Sequence, residues 1–173
     1  MLDMRTLLKL IFLSAICFLI SCDFGSGNKP KIELEKLPPI TQTGENTFGC
    51  LVNGEAFVVT NSYDLVAMYQ QGVLFIGGEK DFNNLSSHIS ILVKDAISQN
   101  QIYTLNNNTS SKGEYYIDGC FYTTTPTLTG TLEITHFDTN KYIISGVYEF
   151  STVNEDCDTV RITDGRFDMQ YIP

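Results

Sequence analysis

The chain has no tryptophan and only two histidines, and neither shortage is offset by clustering. His88 and His136 stand alone in segments that read as strands, outside any His-x-x-x-His or Cys-x-x-Cys spacing. A transition-metal site is therefore not expected, and no motif calls for a cofactor. A Gly-x-Ser-x-Gly elbow is also missing, so nucleophilic hydrolysis lacks its nucleophile, base and orienting acid. Basic charge is scarce: 11 Lys and Arg face 20 Asp and Glu, for a net charge of −9 at pH 7. With no Lys/Arg cluster, such a surface repels phosphate backbones, which argues against nucleic acid as a partner. Helical 3.6-residue periodicity is nearly absent, no repeat is evident, and no apolar run is long enough to span a bilayer as a helix.

What is present first is an address. Residues 10–20 form an eleven-residue apolar stretch behind Arg5 and Lys9, closing on Leu19-Ile20-Ser21-Cys22. A short positive region, a short apolar region and a small residue before a cysteine predict a lipoprotein signal peptide over residues 1–21. Cys22 is the expected lipidation site: its thiol takes a diacylglyceryl group and its new amine a fatty acyl chain such as palmitate. Cys17 is apolar filler. Each buried methylene contributes about 0.8 kcal/mol, so two or three chains hold a protein stably on a membrane. Cleavage removes Asp3, Arg5 and Lys9, leaving 19 acidic and 9 basic residues and a net charge of −10. The expected location is the cell envelope, lipid-anchored, with the periplasmic face favoured over the cell surface.

Residues 22–46 are rich in Gly, Ser, Asn, Lys, Glu and Pro and read as an acylated flexible tether. Residues 47–173 read as one domain of short β-branched and aromatic runs broken by Gly, Asn, Asp and Ser. The predicted fold class is all-β: a single antiparallel sandwich or barrel-like meander of about ten strands. Asn53-Gly54 between two apolar runs predicts a type I′ hairpin. Other expected strands cover 73–76, 88–94, 102–105, 114–122, 131–137, 142–150, 159–163 and 166–172, with Asp164-Gly165 as a turn or bulge. Residues 65–69 are the one stretch whose spacing also suits a helical turn. Phe167, Met169 and Tyr171 alternate with Arg166, Asp168 and Gln170, which places the latter three on a wet face, where Arg166 can pair with Asp164 or Asp168.

The segment 37–54, LPPITQTGENTFGCLVNG, together with Gly130 to Thr135, Ser145-Gly146 and the close Ile162-Thr163-Asp164-Gly165-Arg166-Phe167-Asp168, resembles a family of Bacteroidota lipoproteins of unknown function. The resemblance spans most of the domain. It implies an envelope lipoprotein with a compact β domain, and it carries over no activity and no catalytic residues.

Three cysteines remain after Cys22 is acylated. In an oxidising compartment one pair can bond, and Cys120 with Cys157 is favoured, because closing about 37 residues stabilises by roughly 4 kcal/mol; Cys50 is then a buried thiol. The densest acidic cluster, Glu155-Asp156 with Asp158, falls in an expected turn and reads as a solvated loop. Asp158-Thr159-Val160 matches a short O-glycosylation pattern. Tyr103, Tyr115, Tyr116 and Tyr122, with Phe121 and Asn106 to Asn108 beside them, are the candidate ligand surface, an aromatic platform for carbohydrate; filling strand positions is the competing account. The expected protein is a monomeric, non-enzymatic binding or structural component of the envelope, its partners the membrane and an envelope protein or glycan. The alternatives are a glycan-acting hydrolase and a lipocalin-like carrier.

Overall fold

The computed structural model describes residues 32–154 and 157–173. The signal segment, Cys22, and Glu155-Asp156 lie outside the described residues. None of the described helices is long and apolar enough to cross a membrane.

The strands are β1 (Thr47–Val52), β2 (Glu55–Val59), β3 (Leu65–Gln70), β4 (Val73–Phe82), β5 (Leu85–Val93), β6 (Gln101–Leu105), β7 (Lys112–Ile117), β8 (Cys120–Thr123), β9 (Gly130–Asp138), β10 (Ile143–Asn154) and β11 (Cys157–Gln170). They form one antiparallel sheet in the order β2-β1-β11-β10-β8-β7-β5-β4-β3, with β6 and β9 branching from β10. The long β10 makes the branch: it pairs β9 from Ile143 to Phe150 and then meets β8 through Val153 and Thr123. The sheet is open, ending at β2 and β3, although a parallel bridge from Met68 to Ile172 ties the β3 end to the residues after β11.

Turn chemistry sets much of this. Four tight connections place two successive residues at positive φ: Asn53-Gly54, Gln71-Gly72, Asn83-Asn84 and Asp118-Gly119. That backbone twist matches the twist of paired strands, and Gly and Asn adopt it at least cost. Asp118-Gly119 splits the expected run 114–122 into β7 and β8. Residues 65–69 are strand, not helical turn, paired with β4 from Leu65–Gly78 to Gln70–Val73. The runs 159–163 and 166–172 belong to one strand, β11, bulged at Asp164-Gly165, where the register with β10 shifts. Gly165 is required there: a Cβ would sit 2.4 Å from the Tyr148 carbonyl oxygen and 2.6 Å from its ring.

Inward-facing side chains from both arms of the sheet fill a single core, including Leu74, Ile76, Ile89, Ile91, Leu132, Ile134, Phe150 and Phe167. Tyr148 stacks on Phe48 at 5.2 Å between ring centres.

The segment expected as the end of the tether is part of this body. A 3-10 turn over Glu33–Lys36 brings the Glu33 carboxylate to the backbone N–H of Ala56, 2.9 Å away, on edge strand β2. Leu37 and Pro38 are buried, with Pro38 lying against Gly49. Residues 41–46 then cross the end of β11 and bond to it. The free tether among the described residues therefore stops well short of Asn46. The physical reason is a buried acid, Asp168, to which this segment bonds.

Candidate functional site

Asp168 does not lie on a wet face: it is 1% exposed. Its carboxylate accepts five hydrogen bonds. Four come from the strap over residues 41–45: the Thr41 hydroxyl at 2.7 Å and the backbone N–H groups of Thr43, Gly44 and Glu45 at 3.0, 2.9 and 3.2 Å. The fifth is the Ser145 hydroxyl at 2.7 Å. Burial alone raises this carboxyl, yet the hydroxyls of Thr41 and Ser145 and the N–H groups of Thr43 and Gly44 outweigh it and hold Asp168 below the ordinary carboxylate range. Arg166 is not its partner; the Arg166 guanidinium donates to the Asp164 carbonyl oxygen at 3.1 Å. Asp168 is thus a structural latch with its acceptor capacity committed.

The expected tyrosine platform does not exist as a surface. Tyr103, Tyr115 and Tyr122 are 5%, 1% and 5% exposed. Tyr115 and Tyr122 stack on each other in the core, 5.8 Å between centres, and burial raises both phenols above their ordinary range. Tyr103 donates to the Ala96 carbonyl and accepts from the Ser98 N–H, both at 2.9 Å, pinning the loop before β6; burial raises its phenol too. Tyr116 alone faces outward, stacked on His88 at 5.5 Å. Alternation explains the split, since neighbours along a strand point to opposite faces.

Cys120 and Cys157 are joined by a disulfide, 6.4 Å between Cα atoms, which ties β8 to the start of β11. Cys50 is a fully buried free thiol, and burial pushes it up to about 12, so it stays protonated and unreactive at neutral pH. His136 lies on β9, away from the β5 strand that carries His88. Among the described residues no three His, Cys, Asp or Glu side chains converge as metal ligands. Asp158 and Thr159 are exposed at the start of β11.

The strongest candidate for contact with a ligand is one that sequence reading missed: a groove of about 370 Å³ on the outer face of β3, β4 and β5. Cross-strand register builds it. Val66, Gly77, Ser90 and Glu114 form one row across β3, β4, β5 and β7. Gly77 and Ser90 are the smallest members and make a trough, between the Phe75–Leu92 pair on one side and the Glu79–His88 pair on the other. Gly77 has no room for more, because a Cβ there would lie 2.6 Å from the Ile89 carbonyl oxygen. At the rim stands Tyr63, 94% exposed, on a 3-10 turn whose start is capped by the Asn61 side chain. Asp64 follows, one residue before the Leu65–Gly78 pair and so at the level of Glu79. Asp64 accepts from the Asn61 amide at 2.9 Å and Glu79 from the Ser86 hydroxyl at 3.4 Å. Among the described residues neither has a Lys or Arg within ion-pair distance, whereas Glu114, deeper in the row, is paired with Lys112 at 2.6 Å. A second groove, of about 390 Å³, lies outside β9 to β11 between Ile40, Ile102, Val147 and Arg166.

Comparison with curated proteins finds no match, and comparison with solved structures finds none either. A family model described as a domain of unknown function, DUF6252, matches residues 45–169, from the strap's last Asp168 contact to the penultimate residue of β11, and the chain belongs to that family.

Proposed function

We propose that this protein is an envelope lipoprotein, anchored through acylated Cys22, whose β domain is a non-enzymatic binding module. The observation that carries the binding part is the contrast between a filled interior and a grooved exterior. Large side chains such as Tyr115, Ile89 and Leu132 occupy the space a lipocalin-like carrier would keep for its cargo, so recognition belongs on the outside of the sheet. The groove on β3 to β5 is the surface suited to it, with an exposed ring, small floor residues and carboxylates that have no ion-pair partner among the described residues.

The strap adds a consequence for reach. With residues 32–46 packed on the domain, only the nine residues 23–31 separate Cys22 from the folded body. Whatever their conformation, they span at most about 32 Å, so the domain works close to its membrane. The test is the intact mass of membrane-extracted protein with and without a signal peptidase II inhibitor, alongside protease shaving of whole cells. The reading expects a diacylated or triacylated Cys22 that the inhibitor abolishes, and a domain protected in intact cells. A mass without lipid overturns the anchor; a domain removed by shaving moves it to the cell surface.

A further inference from the structure

Building on the reading of the chain as a binding module, we propose that the groove on β3 to β5 receives a lysine or arginine side chain from a basic segment of a partner protein. The charge arrangement points to a cation. Asp64 and Glu79 both line the trough, and neither has an ion-pair partner among the described residues, in a chain already carrying net charge −9. An incoming ammonium or guanidinium would supply the missing counter-charge while gaining charge-assisted hydrogen bonds.

The rest of the groove suits the stem and head of such a side chain. Phe75 offers an apolar wall on one flank and Val66 closes one end of the row, and the Gly77–Ser90 floor leaves a channel for methylene groups. Tyr63 lines the same groove with a nearly fully exposed ring, and an aromatic face of that kind attracts a cation. A volume of about 370 Å³ lies at the small end of ligand sites, in keeping with one side chain and its flanking backbone rather than a long oligomer. The Tyr63 ring is also not what holds its own turn together, since Asn61, Asp64 and the backbone do that.

The test uses the acylated full-length protein in a nonionic detergent, its lipid verified by mass. Isothermal titration compares a terminally blocked ten-residue peptide whose single charge is one central lysine, the same peptide with that lysine acetylated, spermidine, and a neutral chitin disaccharide. The lysine peptide is expected to bind at least about tenfold more tightly than its acetylated form. The double variant Asp64→Asn, Glu79→Gln should lose about tenfold, and Tyr63→Ala about threefold, with thermal unfolding unchanged because all three side chains are exposed and the two amides keep an oxygen to accept from Asn61 and Ser86. Equal affinity for the acetylated peptide, full binding by the double variant, binding of spermidine or the disaccharide alone, or no heat from the lysine peptide up to about 5 mM each overturns the proposal. Failure here with lipid present on Cys22 leaves the anchor reading standing. Absence of lipid with peptide bound does the reverse.

Discussion

Two arms of the same sheet treat the carboxylates on their outer side in opposite ways. On the strap arm Asp168 is sealed from water and accepts five hydrogen bonds, four of them from a segment more than 120 positions earlier in the chain. On the groove arm Asp64 and Glu79 are exposed, and the hydrogen bonds they accept among the described residues come from Asn61 and Ser86. The first arrangement stabilises: four strap donors would otherwise lack acceptors. The second contributes little to folding and leaves charge free for something else. A carboxylate whose lone pairs are consumed by its own chain belongs to the fold, and one left unpaired beside an exposed ring belongs to the surface chemistry.

The largest expected effect comes from cutting the staple between the two halves. Reducing the Cys120–Cys157 bridge, or replacing both residues by serine, should lower stability by about 4 kcal/mol, read by urea unfolding, since the bond links β8 of the groove half to β11 of the strap half. Next, Asp168→Ala should cost about 3 kcal/mol by the same measurement, because it orphans the Thr43, Gly44 and Glu45 N–H groups together. It should also open residues 41–46 to proteases. An effect below about 0.5 kcal/mol would erase the distinction between the two arms.

Acid should discriminate them as well. Asp168 titrates below the ordinary range in the folded protein, so its contribution is complete above the unfolded value near 4 and is lost as pH falls below it. Stability followed from about pH 6 to pH 2 should drop in that lower window, and the drop should shrink in Asp168→Asn. The smallest effect is the sharpest control. Asp64→Asn with Glu79→Gln should change stability by less than about 0.5 kcal/mol, since both groups are exposed and neither has an ion-pair partner among the described residues.

How much of this the sequence disclosed depends on how local each feature is. Asn53-Gly54 announces its hairpin because the turn's φ requirement is written in two adjacent residues. Asp118-Gly119 carries the same signal, yet continuous β-forming residues on both sides make 114–122 read as one strand. The all-β class follows from composition and turns. The strap does not: Pro38-Pro39 and the polar residues around them have the composition of a linker, and what immobilises them is Asp168, far along the chain. Alternation along β11 put Asp168 outside, and it is outside the core; the strap then buries it. The tyrosine cluster misleads for the converse reason, because Tyr115 and Tyr116 are adjacent in sequence and opposite in space. The groove depends on Gly77 meeting Ser90 across two strands, a register that no single segment contains.

On this reading the outer side of one arm of the sheet is closed by its own chain, and that of the other arm is kept open for a basic partner. Hydrogen–deuterium exchange of the detergent-solubilised lipoprotein, with and without the lysine peptide, tests both halves at once. Slow exchange is expected at Thr43, Gly44 and Glu45 in either condition, comparable with strand amides, with peptide-induced slowing confined to residues 62–66, 77–79 and 88–90. Strap amides exchanging at the rate of unstructured chain, or a groove indifferent to the peptide, would contradict it.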